Sequence, residues 1–361
     1  MTAQVPKTTG SWRVHLKVDP AQPDTDSLRW HSKVPLRQLG PTDVCVKLHA
    51  ASLNFRDLAI IRGAYPLPMN DGVVPGCDGV GEVIAVGENV RRFSIGDKVM
   101  PYLFSANWMG GNAPPEIARH TALGGTVDGT FTEHGVYDQE GLVAMPSNLT
   151  WAEGASLQGT FATAWNALMG GAQKLRVGDS VLVQGSGTVS LSTLQLAAAA
   201  GAIVIATTSS KAKAEKLKAL GATHIINYNE EPEWGAAAKR LSPGGRGVKF
   251  VTEVVGSPYS YRQSLEALAA GGEMIVVGFM GEPGASEKAQ PSFLEAMIKP
   301  CTIRGVQLSS RLQLEELCRA IEGRGIKPFY DEKTFELKDL KRAYQYLADQ
   351  KNFGKVVVTI T

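Results

Sequence analysis

A chain of 361 residues with 43% hydrophobic and 20% charged residues is long enough for two domains, each with its own core. A formal net charge of +2, with no basic run beyond a few residues, argues against a nucleic-acid partner or an acidic membrane surface. The longest apolar run, Leu196 to Ala206, is too short to span a bilayer and is broken by Gly201, so no membrane segment is expected.

From Trp12 to about Ala144 the text is strand-like, punctuated by Gly and Pro: Val44–Leu48 alternates, and Gly79–Gly87 reads as a glycine-rich barrel strand. Cys45 and Cys77 fall here, Cys301 and Cys318 much later, and no C-x-x-C pair forms. With a polar start (Pro6, Thr8-Thr9-Gly10) lacking an apolar export core, reduced thiols and a cytoplasmic location are expected. Residues 105–129 form a Gly/Pro/Asn-rich loop too long for a simple connection. Thr150 with Glu153 three residues on makes a capping box, predicting a helix start, and a second helix is predicted over Phe161–Met169.

From Ser180 the pattern turns to β-α alternation. Strands are predicted at 181–184, 203–207, 224–226, 248–255 and 273–278, and helices at 189–200, 211–220, 233–241 and 259–269. This is the text of a doubly wound parallel sheet. Beyond Gly281 the chain is irregular, with a helix near 312–322 and a last strand at 354–360 expected to return to the first domain.

The chemistry sits at the first strand–helix junction. Gly185-Ser186-Gly187 turns the chain sharply, and Thr188 and Val189 open a helix whose free N–H groups suit a pyrophosphate. The third glycine of the dinucleotide fingerprint is replaced by Ser190. Roughly 20 residues past the first glycine, an NAD site carries Asp or Glu for the ribose 2′-hydroxyl. Here Ser209-Ser210-Lys211 stands instead, two hydroxyls and a cation suited to a 2′-phosphate, so NADP(H) is the expected cofactor. Ser210 also reads as the N-cap of the following helix, with Lys211 a solvated first-turn residue.

In order and spacing, Ser52–Asp57, Pro75–Val83, Gly96–Val99, Ala162–Trp165, the glycine turn, Leu220–Tyr228 and Gly354–Val357 resemble the medium-chain dehydrogenase/reductase superfamily across nearly the whole chain. The resemblance implies an α/β protein with a GroES-like β-barrel catalytic domain (1–155 and 301–361) and an inserted Rossmann domain (156–300). Zinc-dependent members hold a catalytic metal with an early Cys, a Gly-His-Glu and a later Cys. The matching positions here read Asn54, Gly76-Cys77-Asp78 and a residue near Gly159, and the four-cysteine structural zinc lobe has no counterpart in 105–129. No metal is therefore expected.

That departure resembles the zinc-free branch of quinone oxidoreductases and enoyl reductases. There, residues like Asn54 and like Tyr65 in Gly63-Ala64-Tyr65-Pro66 lie beside the nicotinamide. Tyr65 is then a proton donor or orienting hydroxyl, against the alternative of a Tyr packed at a turn. Asn54 reads equally as a loop-capping amide, and Arg56–Asp57 as a local ion pair. The resemblance also places Thr163, Lys211, Tyr228, Gly256, Gly278, Phe279 and Lys355 near the cofactor. Gly256 and Gly278 each have a turn-forming reading that needs no ligand.

The expected function is metal-independent hydride transfer from NADPH to an activated C=C bond of an enone, enoyl compound or quinone. The alternatives are a zinc-free carbonyl or alcohol oxidoreductase, and an NADPH-binding protein with little turnover. Selectivity is expected in 105–129 and around Phe279–Ser292, with Trp108, Met109 and Phe293 as candidate pocket residues. The partner is a small-molecule substrate. The resemblance implies a homodimer, with a sheet edge near Met274–Val277 as its seam, and a monomer is the alternative.

Overall fold

The computed structural model describes residues 5–15, 24–278 and 291–361. The chain divides into two compact units, residues 1–159 with 310–361, and residues 160–309. The second border lies beyond the expected residue 300 because Thr302–Gly305 is a strand paired with Leu268–Val276, and so belongs to the inserted unit.

The first unit is built around Asp43–Ser52, which pairs antiparallel with Asp78–Val86, with His134–Asp138 and with Val357–Thr359. These strands, with Lys98–Pro101, Leu142–Ala144 and Phe335–Glu336, form a seven-stranded sheet. Two register shifts bend the central pair, between Cys45 and Val46 and between Leu48 and Ala50. The glycines of Asp78–Val86 let the backbones close up: a Cβ on Gly81 would stand 2.2 Å from the Lys47 carbonyl. Val44, Val46, Leu48 and Val83 are fully buried in the core this sheet encloses. The last strand returns here as expected, and its register aligns Val357, Ser52 and Asp78 across three strands.

Among the described residues the second unit holds six parallel strands in the spatial order His224–Asn227, Ile203–Thr208, Ser180–Gln184, Val248–Glu253, Leu268–Val276, Thr302–Gly305. Its central strand Ser180–Gln184 is buried at every position, with Val181, Leu182 and Val183 at its apolar heart. Helices Thr188–Ala199, Lys211–Ala219, Trp234–Leu241 and Pro258–Ala267 follow their strands within a few residues of the expected bounds. Met274–Val277 was expected at the edge, but Leu268–Val276 is paired on both sides. Among the described residues the edge is Thr302–Gly305, whose four residues carry too little apolar pattern to read as a strand.

Thr150 caps its helix as expected: its Oγ1 accepts from Glu153 N at 3.3 Å while Glu153 Oε2 accepts from Thr150 N at 2.7 Å. Within 105–129 there is one short helix, Glu116–Arg119. Trp108 is 2% exposed and packs on Phe104, so it is core, whereas Met109 is largely exposed. Among the described residues no helix is long and apolar enough to cross a membrane.

Candidate functional site

Every loop of the second unit that was expected to meet the cofactor leaves the carboxyl end of a parallel strand. Gly185 follows Ser180–Gln184, Ser209 follows Ile203–Thr208, Tyr228 follows His224–Asn227, Gly256 follows Val248–Glu253 and Gly278 follows Leu268–Val276. Ligands of open α/β sheets bind at that end, where strand order reverses. Gly185 has φ +69°, and Cβ atoms built on Gly185 and Gly187 would meet nothing within 4 Å. Gly187 is the N-cap of Thr188–Ala199 and has no side chain to occupy the first-turn N–H groups of Thr188 and Val189. Open space beside Ser186 and a bare helix N-terminus fit a pyrophosphate. At the third glycine position Ser190 is buried and donates to the Gln184 carbonyl at 2.6 Å, so a small hydroxyl ties helix to strand where the fingerprint uses hydrogen.

Ser210 caps Lys211–Ala219, its Oγ accepting from Lys213 N at 3.4 Å. Ser209 is exposed, Lys211 is 88% exposed and Tyr228 is 39% exposed, so all three are accessible beside one another. Lys211 has one acidic neighbour, Glu230 Oε1 at 3.6 Å. Thr163 is buried in helix Gln158–Met169. Gly278 has a structural reason to be glycine, since a Cβ there would stand 1.8 Å from the Val254 carbonyl. Gly256, at φ +78°, donates its N–H to Glu253 Oε1 at 2.9 Å. Phe279 lies outside the described residues.

Sequence reasoning overlooked Glu253. It is fully buried, and its carboxylate accepts from Val255 N, Gly256 N, Ser260 Oγ, Ser264 Oγ and Gln184 Nε2 at 2.6–3.0 Å. One side chain thus joins the Val254–Ser257 loop to the strand that feeds the glycine turn. The signal was an acid at the end of an apolar strand with Ser at i+7 and i+11.

In the first unit a second polar cluster forms around helix Phe55–Ile61. Asn54 is its N-cap, and Asn54 N donates to Asp57 Oδ2 at 2.9 Å. The Asn54 amide donates to Asp78 Oδ2 at 3.0 Å and faces Cys77 Sγ at 3.4 Å. Lys355 is 2% exposed, and its ammonium donates to Asn54 Oδ1 at 2.6 Å, Asp78 Oδ2 at 2.7 Å and the Leu53 carbonyl at 3.1 Å. Three N–H groups meet three acceptors. All three Lys355 N–H groups are thus directed at these oxygens. Asn54 likewise spends its N–H groups inward.

Tyr65 is partly buried against the core, and its hydroxyl accepts from Arg56 Nε at 3.0 Å, which leaves the phenol proton free to donate. The guanidinium carbon lies 4.8 Å from the Tyr65 ring centroid. The expected Arg56–Asp57 pair is loose at 3.8 Å, and Arg56 Nη1 and Nη2 are buried without a hydrogen-bond partner among the described residues. Burial pushes the Asp57 carboxyl up to about 6 against the pull of Arg56. Burial, then Asp78 and Asp57, push the Cys77 thiol well up.

This set does not fit a catalytic metal. A zinc site needs about three protein ligands, and a cysteine binds as thiolate. Cys77 and Asp78 are the ligating side chains of the set, and Gly159 offers none. No group of three His, Cys, Asp or Glu that could hold a metal occurs among the described residues.

Two family models match: an alcohol dehydrogenase GroES-like domain over residues 40–147 and a zinc-binding dehydrogenase over 188–323. A zinc-type alcohol dehydrogenase-like protein of Schizosaccharomyces pombe is 41% identical, over 90% of this chain and 92% of its own length. An acryloyl-coenzyme A reductase of Sulfurisphaera tokodaii is 29% identical, over 90% and 95%. The crystal structure of a candidate alcohol dehydrogenase from Sinorhizobium meliloti, at 32% identity, superposes with a TM-score of 0.87 over 99% of this chain and 100% of that one. The barrel-type sheet, the parallel sheet and these likenesses agree: the chain belongs to the medium-chain dehydrogenase/reductase superfamily and is an oxidoreductase of that family.

Proposed function

We propose that the protein is an NADPH-dependent, metal-independent reductase of an activated C=C bond: an enone, an enoyl thioester or a quinone. The observation that carries this reading is the Asn54–Cys77–Asp78–Gly159 set, which lacks a metal's donors. Reducing an isolated ketone demands strong stabilisation of a localised alkoxide. A conjugated acceptor spreads the charge into an enolate or hydroquinone and needs only positioning and a hydrogen-bond donor. When bound, the nicotinamide supplies the hydride.

The chain's own residues supply the rest. Gly185, Ser186, Gly187, Thr188 and Val189 cradle the pyrophosphate, and Ser209, Ser210, Lys211 and Tyr228 receive the 2′-phosphate. No carboxylate stands at Ser209 or Ser210 to favour NADH. Tyr65 donates its proton to the substrate carbon or oxygen that has gained charge, and the Arg56 cation beside it favours the phenolate left behind. Likeness to an acryloyl-coenzyme A reductase supports a C=C acceptor. The 41% likeness to a zinc-type alcohol dehydrogenase-like protein favours a second reading, a carbonyl or alcohol oxidoreductase using the Tyr65 hydroxyl. Assembly as a homodimer through the Thr302–Gly305 edge, in the cytoplasm, completes the proposal.

Steady-state NADPH oxidation against an enone, an enoyl thioester, a quinone and an aldehyde tests it. Turnover with a conjugated acceptor, unaffected by chelator, is expected, and Tyr65→Phe is expected to lower kcat by about 10²-fold or more. Turnover confined to the aldehyde would select the second reading. NADPH binding without oxidation of any acceptor would leave a binding protein.

A further inference from the structure

A cavity of about 200 Å³ opens within the first unit, lined by strand Thr8–Val14 and strand His134–Asp138, and shares no residue with the Tyr65 and Lys355 clusters. We propose that it is a binding site for a small neutral phenol or alcohol, with an apolar body the size of a six-membered ring and one hydroxyl. The inference is independent of the reductase reading above.

Alternation along the first strand builds one wall. Thr9, Ser11 and Arg13 are every second residue and share a face, and Ser11 bridges to Thr132 on the facing segment. Gly135 makes room for another wall: a Cβ there would stand 2.5 Å from Tyr137 Cζ, so hydrogen is what leaves space for the phenol ring. Val74, Val136 and the Tyr137 ring add apolar surface. Arg37, Val127 and Asp128 are exposed and edge the mouth.

Two polar atoms on the lining call for a ligand. Ser11 Oγ, in a residue with no exposed surface, and His134 Nδ1 are buried without a hydrogen-bond partner among the described residues. The neighbouring hydroxyls are engaged. Thr9 Oγ1 accepts from His134 N at 3.0 Å, Thr132 Oγ1 donates to the Gly10 carbonyl at 3.1 Å, and Tyr137 Oη donates to the Gly129 carbonyl at 3.3 Å. An unpaired buried polar atom is costly, and a ligand hydroxyl both donates and accepts, so it can meet either one.

Charge and volume narrow the class. Arg13 is paired with Asp128 at 3.1 Å, and Arg37 holds Asp43 through hydrogen bonds of 2.6 and 3.0 Å, so neither guanidinium is left to hold an anion. Burial, against the pull of Glu133, keeps the His134 imidazole below the usual histidine range and so uncharged at neutral pH. A cavity of about 150 Å³ accommodates benzene, so this volume suits a ring of that size with one hydroxyl.

The test uses the full-length protein without cofactor and three probes of like shape: phenol, toluene and benzoate. Isothermal titration is expected to show one phenol per chain, bound about tenfold more tightly than either of the others. Phenol should also shift the His134 ring signals in NMR. Ser11→Ala should weaken phenol about tenfold and yet raise the Tm of the ligand-free protein, because an unpaired hydroxyl leaves the interior. A merely structural serine would instead lower the Tm and leave phenol binding alone, which would overturn the inference. Val127→Trp, which fills the mouth, should abolish binding in a folded protein, and Tyr65→Phe should leave phenol affinity unchanged.

No phenol binding, or equal affinity for phenol and toluene, would mean that no polar group there awaits a ligand. Tighter binding of benzoate would make this an anion site. Each result would overturn the inference, as would undiminished phenol binding by Ser11→Ala or, should that variant not fold, by Val127→Trp. Loss of phenol binding in Tyr65→Phe would assign the ligand to the reductase site and overturn it too.

Discussion

Asp57 shows how local charge decides what a buried side chain does. Its carboxyl is fully enclosed and pushed up to about 6 by burial, because Arg56 stands off at 3.8 Å and the Asn54 N–H offsets only part of the penalty. A folded-state value above the unfolded one means the folded protein holds the proton more tightly. The stabilisation is complete below about 4 and is lost as pH rises through about 6. Asp57→Asn removes this dependence while keeping an acceptor for the Asn54 N–H. Relative to wild type, the variant should therefore gain stability between pH 4.5 and pH 7.5, by about 3 kcal/mol at most, read from denaturant midpoints at the two pH values. No relative gain would mean that Asp57 is ionised beside Arg56 throughout. The same neighbourhood explains why Tyr65 was ambiguous in sequence. It packs against the core, and its hydroxyl also accepts a hydrogen bond from the Arg56 guanidinium, a contact that spans nine residues of sequence.

The second unit places its chemistry by repetition of one device, a parallel strand running into a turn and a capped helix. Gly187 opens one helix bare, and Ser210 opens the next with its own hydroxyl. Because Ser210 is engaged as a cap, Ser210→Ala should cost about 1 kcal/mol in stability. Lys211 bears no such duty, being 88% exposed and only loosely near Glu230. Lys211→Ala should then leave stability unchanged and raise the KM for NADPH about tenfold, with the KM for NADH unaltered, the loss of one charge-assisted contact. Equal effects on both cofactors would remove the 2′-phosphate role. Glu253 shows the complementary device: a buried carboxylate that fixes the loop after its strand through five donors, with no part turned outward.

Each unit closes its own sheet differently. The first wraps its strands through bulges and glycines, and among the described residues the second ends on Thr302–Gly305 with one side unpaired. Ile303 is 46% exposed on that edge, and Met297 and Ile298, just before it in the chain, are 68% and 70% exposed. An open edge with apolar neighbours is suited to pairing with a second copy. Ile303→Lys is expected to shift the protein from dimer to monomer in sedimentation velocity at micromolar concentration. An unaltered dimer would place the interface elsewhere.

Sequence alone determined the parallel sheet, the glycine turn and the Thr150 and Ser210 caps, because periodicity, small residues and capping hydroxyls act over a few neighbouring positions. It also led to the expectation of no metal at Asn54, Cys77, Asp78 and Gly159. It could not show that Lys355, 301 residues from Asn54, fills their midst, nor that Glu253 ties two loops together. Those facts depend on strand register, Val357 against Ser52 against Asp78, and on the burial that turns a surface-type side chain into a paired internal charge. Only the tertiary structure sets which distant segments share an edge, and so which charges must answer one another.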